Sequence, residues 1–161
     1  MIISYILMIL SFTFLLLNGL QGFFGFNIYK ANHIAFAFFS TILYMFTQTL
    51  VMFYFIGAGK KIKETILENN LDRVTYQEVI DLKKKLFSPL TLNMLFVAIS
   101  FILGGGVHTG AVSKFWHSGF FVLSIVHYLK VIIIQHNSFI ANNKTLLKIG
   151  EELLKQNQNK G

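Results

Sequence analysis

Histidines are the side chains here whose type and placement point to chemistry. There are five: His33, His108, His117, His127 and His136. The chain has no cysteine, which excludes disulfides, thiolate ligands and iron–sulfur ligation. It also lacks a metalloprotease motif, a P-loop and a dinucleotide fingerprint. His33, His108 and His117 lie at the ends of separate apolar stretches, on one side of any membrane those stretches cross. Two neutral imidazoles from facing helices form the axial pair that a b-type haem requires. His33 and His117 fit that role best. Each begins the membrane portion of its helix at a similar depth, and each heads a polar stripe.

The stripes follow from helical geometry at 100° per residue. Relative to His33, Ala37, Ser40, Tyr44, Thr47 and Tyr54 all fall within about 60°. Relative to His117, Phe121, Ser124, Tyr128 and Gln135 fall within about 40°. Glycines crowd the same end: Gly19, Gly22, Gly25, Gly104, Gly105, Gly106, Gly110 and Gly119. Backbone without side chains leaves room for a flat macrocycle, although glycine is also common where membrane helices touch. The plain alternative is that these histidines are interfacial or structural polar groups. His127 lies roughly 15 Å deeper than His117 and off its stripe. It is a candidate second ligand, proton carrier or hydrogen-bond partner of Ser100 or Tyr44. A zinc or copper site from His33, His108 and His117 is a further alternative, with backbone carbonyls as second shell. His136 is assigned no role. The outer half offers only histidine and tyrosine as acid or base, so a stand-alone enzyme is not expected.

The elements that must position these residues are membrane spans. The chain of 161 residues is 54% hydrophobic and 13% charged, with 18 phenylalanines. Soluble domains average about 25% charged residues, so this chain is short of what a water-facing surface needs. A span takes about 20 apolar residues. Four such stretches are expected, at about 2–24, 33–56, 90–106 and 115–135. The first is read as a retained span rather than a signal peptide. No basic residue precedes Lys30, and no small-residue cleavage site follows the apolar core. On it Ser11, Asn18 and Gln21/Gly22 mark one inward face. On the third span Asn93, Val97, Ser100 and Gly104 do the same.

The connection 57–88 holds Lys60, Lys61, Lys63, Arg73, Lys83, Lys84 and Lys85, with five of the seven carboxylates. The second helix is expected to run on to about Glu68 and break at Asn69-Asn70. Thr75-Tyr76-Gln77-Glu78 reads as a capping box, and Ser88-Pro89 as the N-cap and N1 pair of the third span. Residues 139–161 form a polar tail, with an amphipathic helix over Lys144 to Leu154 and a frayed end over Gln156 to Gly161. Lys30 and Lys114 are the only basic residues in the other connections. The positive-inside rule therefore puts the central loop and both termini in the cytoplasm and the three histidines near the opposite face.

The expected fold is a single all-α membrane domain: a four-span antiparallel bundle with a cytoplasmic helical hairpin and a C-terminal amphipathic helix. The expected function is a haem-b-binding membrane protein or redox subunit of a bacterial inner membrane. Lipid is its surrounding, and a quinone or other membrane subunits are its partners. The net charge of +7 is read as topology rather than as nucleic-acid binding. The competing class is a non-catalytic accessory or assembly subunit.

Overall fold

A computed structural model describes residues 2–28 and 30–158. It is all-helical, with four helices: α1 Ile2–Phe24, α2 His33–Glu68, α3 Arg73–His108 and α4 Lys114–Gln158. Each contains a stretch long and apolar enough to cross a membrane. The apolar faces stay exposed within the protein itself, as at Phe39, Phe53, Ile102, Val126 and Ile133. A surface of that kind is stable against lipid and costly against water.

The helices pack in sequence order, α1 on α2, α2 on α3 and α3 on α4, and α4 returns to α1 less closely. α2 and α4 therefore face each other across the centre. Tight turns make this possible. α1 ends at Gly25, whose positive φ of 70° suits a residue without Cβ. Asn32 caps α2 by accepting from the Ala35 amide at 2.9 Å. Residues 109–113 reverse the chain between α3 and α4 through Gly110, also at positive φ.

The polar stripes turn inward and bond to one another. Ser40, Tyr44, Thr47, Gln48, Asn93, Ser100, Ser124, Tyr128 and Gln135 are all buried. The Tyr44 hydroxyl donates to Asn93 Oδ1 at 2.9 Å, and Asn93 Nδ2 donates to the Ser124 carbonyl at 2.9 Å. One turn further along, Gln48 Nε2 donates to the Tyr128 hydroxyl at 3.0 Å, and Gln135 Nε2 donates to Gln48 Oε1. The Ser11 and Tyr128 hydroxyls share a 3.0 Å bond that ties α1 to α4. With no water to compete in hydrocarbon, such bonds fix the helix rotations that an apolar core alone would leave free. Phe55, Phe139, Leu86 and Leu90 close the core beyond them.

Three local expectations differ from what forms. Pro89 does not open a helix; it lies inside α3, which starts at Arg73. Proline removes one backbone bond there, but Leu86 and Leu90 on either side are fully buried and hold the helix through the defect. Thr75 is not the cap. Asp72 is, accepting from the Val74 amide at 2.9 Å, while Thr75 is buried one turn inside. The tail is not a separate helix either. α4 runs unbroken to Gln158, and Ile149 and Leu153 pack with Ile62, Ile66, Leu71, Tyr76 and Val79 in a second small core. The amphipathic pattern over Lys144 to Leu154 is real, but its apolar side packs against the ends of α2 and α3. Of the expected frayed end, residues 159–161 lie outside the described residues. The break at Asn69-Asn70 forms as expected, with Asn70 at a φ of 51°.

Candidate functional site

At the end of the bundle opposite the charged turn, the helices enclose a cavity of about 550 Å³. Cofactor and ligand cavities usually measure about 300–1,000 Å³. Its lining includes His33, His117 and His108, four of the eight glycines (Gly19, Gly22, Gly104, Gly105), and Phe23, Phe101 and Phe121. Three of the four histidines considered as ligands from sequence thus line one cavity.

The two leading histidines come from α2 and α4 and meet across the centre. Their ring centroids lie 6.2 Å apart, with the planes inclined at 66°. Each ring is seated on a glycine of the neighbouring helix. A Cβ added at Gly22 of α1 would stand 2.9 Å from His33 Cε1. One added at Gly104 of α3 would stand 3.0 Å from His117 Cε1. Gly19 serves the same purpose beneath the Phe121 ring. These glycines are therefore not general lubricants of helix contact. They create the depth in which particular rings sit. Gly105 lines the cavity without such a contact, Gly106 approaches Val112, and Gly119 faces open space.

The hydrogen bonds orient one imidazole fully. His117 Nδ1 lies 3.0 Å from the Ser100 carbonyl. A carbonyl can only accept, so Nδ1 carries the proton and the Nε2 lone pair is left free. This is the arrangement by which protein usually prepares a histidine for a metal. His33 Nδ1 is buried with no partner among the described residues, and so is Asn18 Oδ1 beside it on the cavity wall. Buried polar atoms are nearly always satisfied in native proteins, by protein, water or ligand.

The remaining histidines separate from this pair. His108, the last residue of α3, lines the cavity. Among the described residues no group of three or more His, Cys, Asp or Glu side chains converges as a metal site would require. His127 is not on the cavity. Its ring packs edge-on against Phe96 at 5.3 Å, and its Nδ1 has no partner. Of the partners expected for it, the Tyr44 hydroxyl bonds Asn93 and the Ser100 backbone carbonyl bonds His117. His136 lies halfway along α4, about five turns from His117, where its Nδ1 shares a 2.9 Å bond with the Tyr5 hydroxyl.

Three contributors were not assigned to this site from sequence, although Asn18 and Ser100 were read as inward-facing. Asn18 stands four residues before Gly22, and Ser100 four residues before Gly104. The same polar-then-glycine spacing recurs on α1 and α3, one copy beneath each histidine. That repeat is visible in the sequence once the facing histidines are known. Lys114 is the third contributor. It begins α4 and lines the cavity beside Ser118.

Fold and apolar surface together define an integral membrane helical bundle with a partly open cavity at one end. No family model, curated protein or solved structure matches the chain.

Proposed function

We propose that this protein binds a b-type haem between His33 and His117 and serves as a redox subunit in a membrane. The observation that carries the reading is the facing pair of imidazoles on α2 and α4, 6.2 Å apart between centroids. Two histidines with no third protein ligand suit a haem better than a bare ion. The macrocycle supplies four nitrogens itself and asks the protein for two axial ones. Zinc or copper would ask the chain for three or four.

The surroundings support the same choice. Gly22 and Gly104 give the rings depth, the Ser100 carbonyl holds the His117 Nε2 lone pair free, and Phe101 and Phe121 offer flat apolar faces. The bound haem would supply one-electron redox chemistry. The chain's own part is to hold the axial ligands, exclude water and set the depth of the site. By the positive-inside rule the excess of lysine at the far end supports a cytoplasmic location for that end, with the haem near the opposite face. We read the membrane as a bacterial inner membrane. A quinone or a partner subunit would be the electron donor.

The test is a spectrum. Full-length protein purified from haem-replete cells should show a Soret band, with sharp α and β bands on reduction, at about one haem per chain. Protein that carries no haem, and binds none when haem is added, overturns the reading and leaves a structural accessory subunit.

A further inference from the structure

The cavity has a polarity that axial ligation does not use. Its described lining contains one lysine, three imidazoles, amides and hydroxyls, and no carboxylate. All seven carboxylates of the chain (Glu64, Glu68, Asp72, Glu78, Asp81, Glu151 and Glu152) belong to the charged end or the tail. The cavity's cation is therefore not neutralised from within. The two ion pairs among the described residues, Lys60 with Glu64 and Lys148 with Glu78, lie away from it.

The lining is also sorted along its depth. Leu15, Val97 and Ser124 lie toward the middle of their helices. Lys114, His108 and Asn32 lie at helix ends and form the rim. Phe115 and Trp116 follow Lys114 and are exposed, as aromatic residues are at a membrane–water boundary. Lys114 thus stands where an ammonium stays hydrated while its stem lies along apolar surface. α4 begins there with no acidic residue in its first turn, so its free N–H groups add positive potential at the same point. Asn18, also on the lining, is 6% exposed and its Oδ1 has no partner; as an acceptor it takes no part in holding an anion.

We infer that the cavity takes an amphiphilic anion in one orientation, with its apolar body between the histidines and its carboxylates at the rim on Lys114 and His108. This rests on the haem reading, in which those carboxylates are the two propionates. It adds a recognition site for them that the axial pair does not specify. A charge-assisted bond from lysine to carboxylate is stronger than a neutral one, and His108 offers a ring N–H to the second acid. A haem lacking free acids should then bind more weakly, by loss of the rim contacts alone.

Haem b and its dimethyl ester should be titrated into detergent-solubilised full-length protein stripped of haem, and into the Lys114→Gln variant. Wild type should bind haem b about tenfold more tightly than the ester. Lys114→Gln should remove most of that difference while keeping the wild-type band positions, because the axial ligands are untouched. Equal affinity of wild type for acid and ester, with the bis-imidazole spectrum intact, overturns the rim site and leaves the haem reading standing. No low-spin spectrum with either compound overturns the haem reading, and the inference with it. Phosphate from a lipid headgroup offers the same charge. Displacement of haem b by phosphatidylglycerol but not by phosphatidylcholine would assign the rim to lipid phosphate and overturn the carboxylate proposal.

Discussion

His117 Nδ1 lies 3.0 Å from the carbonyl oxygen of Ser100, one turn before the glycine on which the His117 ring rests. A single turn of α3 therefore sets both the tautomer and the depth of an imidazole on α4. His33 has the matching glycine, Gly22, and its ring meets the backbone of Asn18, one turn before that glycine, while its Nδ1 has no partner among the described residues. Each proposed ligand is thus seated on one turn of a neighbouring helix.

The first prediction concerns the two histidines themselves. His33→Ala and His117→Ala should each remove most of the bound haem, since a six-coordinate site loses half its axial ligation. His136→Ala should leave it intact, because that residue bonds Tyr5 and does not line the cavity. His127→Ala should also leave it intact, because its ring packs on Phe96 away from the cavity. Haem-to-protein ratios after purification decide the matter. Loss in His127→Ala equal to that in His33→Ala would reject the assigned pair.

The glycines make a second prediction. Gly22→Ala and Gly104→Ala each bring a methyl group to about van der Waals overlap with a proposed ligand ring. Disturbing the support of a metal ligand typically costs 10–100-fold in affinity. Each variant should lose haem affinity by at least about tenfold. Gly119→Ala, which faces open space, should be neutral. Titration of haem into the three stripped variants is the measurement. Equal affinity across all three would remove any special role for Gly22 and Gly104.

Much of this arrangement is legible in the sequence because the membrane simplifies the physics. Four apolar stretches announce four helices, and polar residues within them must turn inward. Ser40, Tyr44, Thr47, Asn93, Ser100, Ser124 and Tyr128 do so. Local rules fail where tertiary packing overrides them. Ser88-Pro89 reads as a helix start, but burial of Leu86 and Leu90 carries α3 through it. Lys144 to Leu154 reads as a lone surface helix because its partners, Ile62, Ile66 and Val79, are distant in sequence. The separation of His127 from His117 is legible in its depth and its angle off the stripe, but its seat against Phe96 of α3 is not, because no single helix reports it. Gln48 shows the same limit. Its bonds to Tyr128 and Gln135 exist only once α2 faces α4.

Gln48 supplies the stability prediction. Gln48→Leu leaves the Tyr128 hydroxyl short of one donor and Gln135 Nε2 without its acceptor, in a region with no water to replace them. Tyr44→Phe removes the donor to Asn93. Each lost bond within a membrane bundle costs about 0.6–1.7 kcal/mol. Gln48→Leu should therefore lower thermal stability in detergent more than Tyr44→Phe. Phe39→Leu, on the exposed face, should do least. If the three melt alike, the buried polar bonds do not hold the bundle.

Orientation gives the last prediction. α2 and α3 have 36 residues each and α4 has 45. At 1.5 Å per residue they measure about 54 Å and 68 Å, well beyond the roughly 30 Å of hydrocarbon in a bilayer. The excess lies at the charged end, where Ile62, Ile66, Val79 and Ile149 pack in a core of their own. Eleven of the fourteen basic residues belong to residues 57–88 or to the tail, against Lys30 and Lys114 in the other connections. Long translocated loops can escape the charge rule, but both connections at the histidine end are short, so the bias should hold. A reporter inserted near Asn70 and one fused after Gly161 should both read cytoplasmic. Moving charge should move the outcome. Lys60, Lys61 and Lys63 changed together to Gln, with lysines added beside Lys30 and Lys114, should yield a measurable inverted fraction. If either wild-type reporter reads external, the haem site lies at the cytoplasmic face, and its electrons would be exchanged with partners on that side.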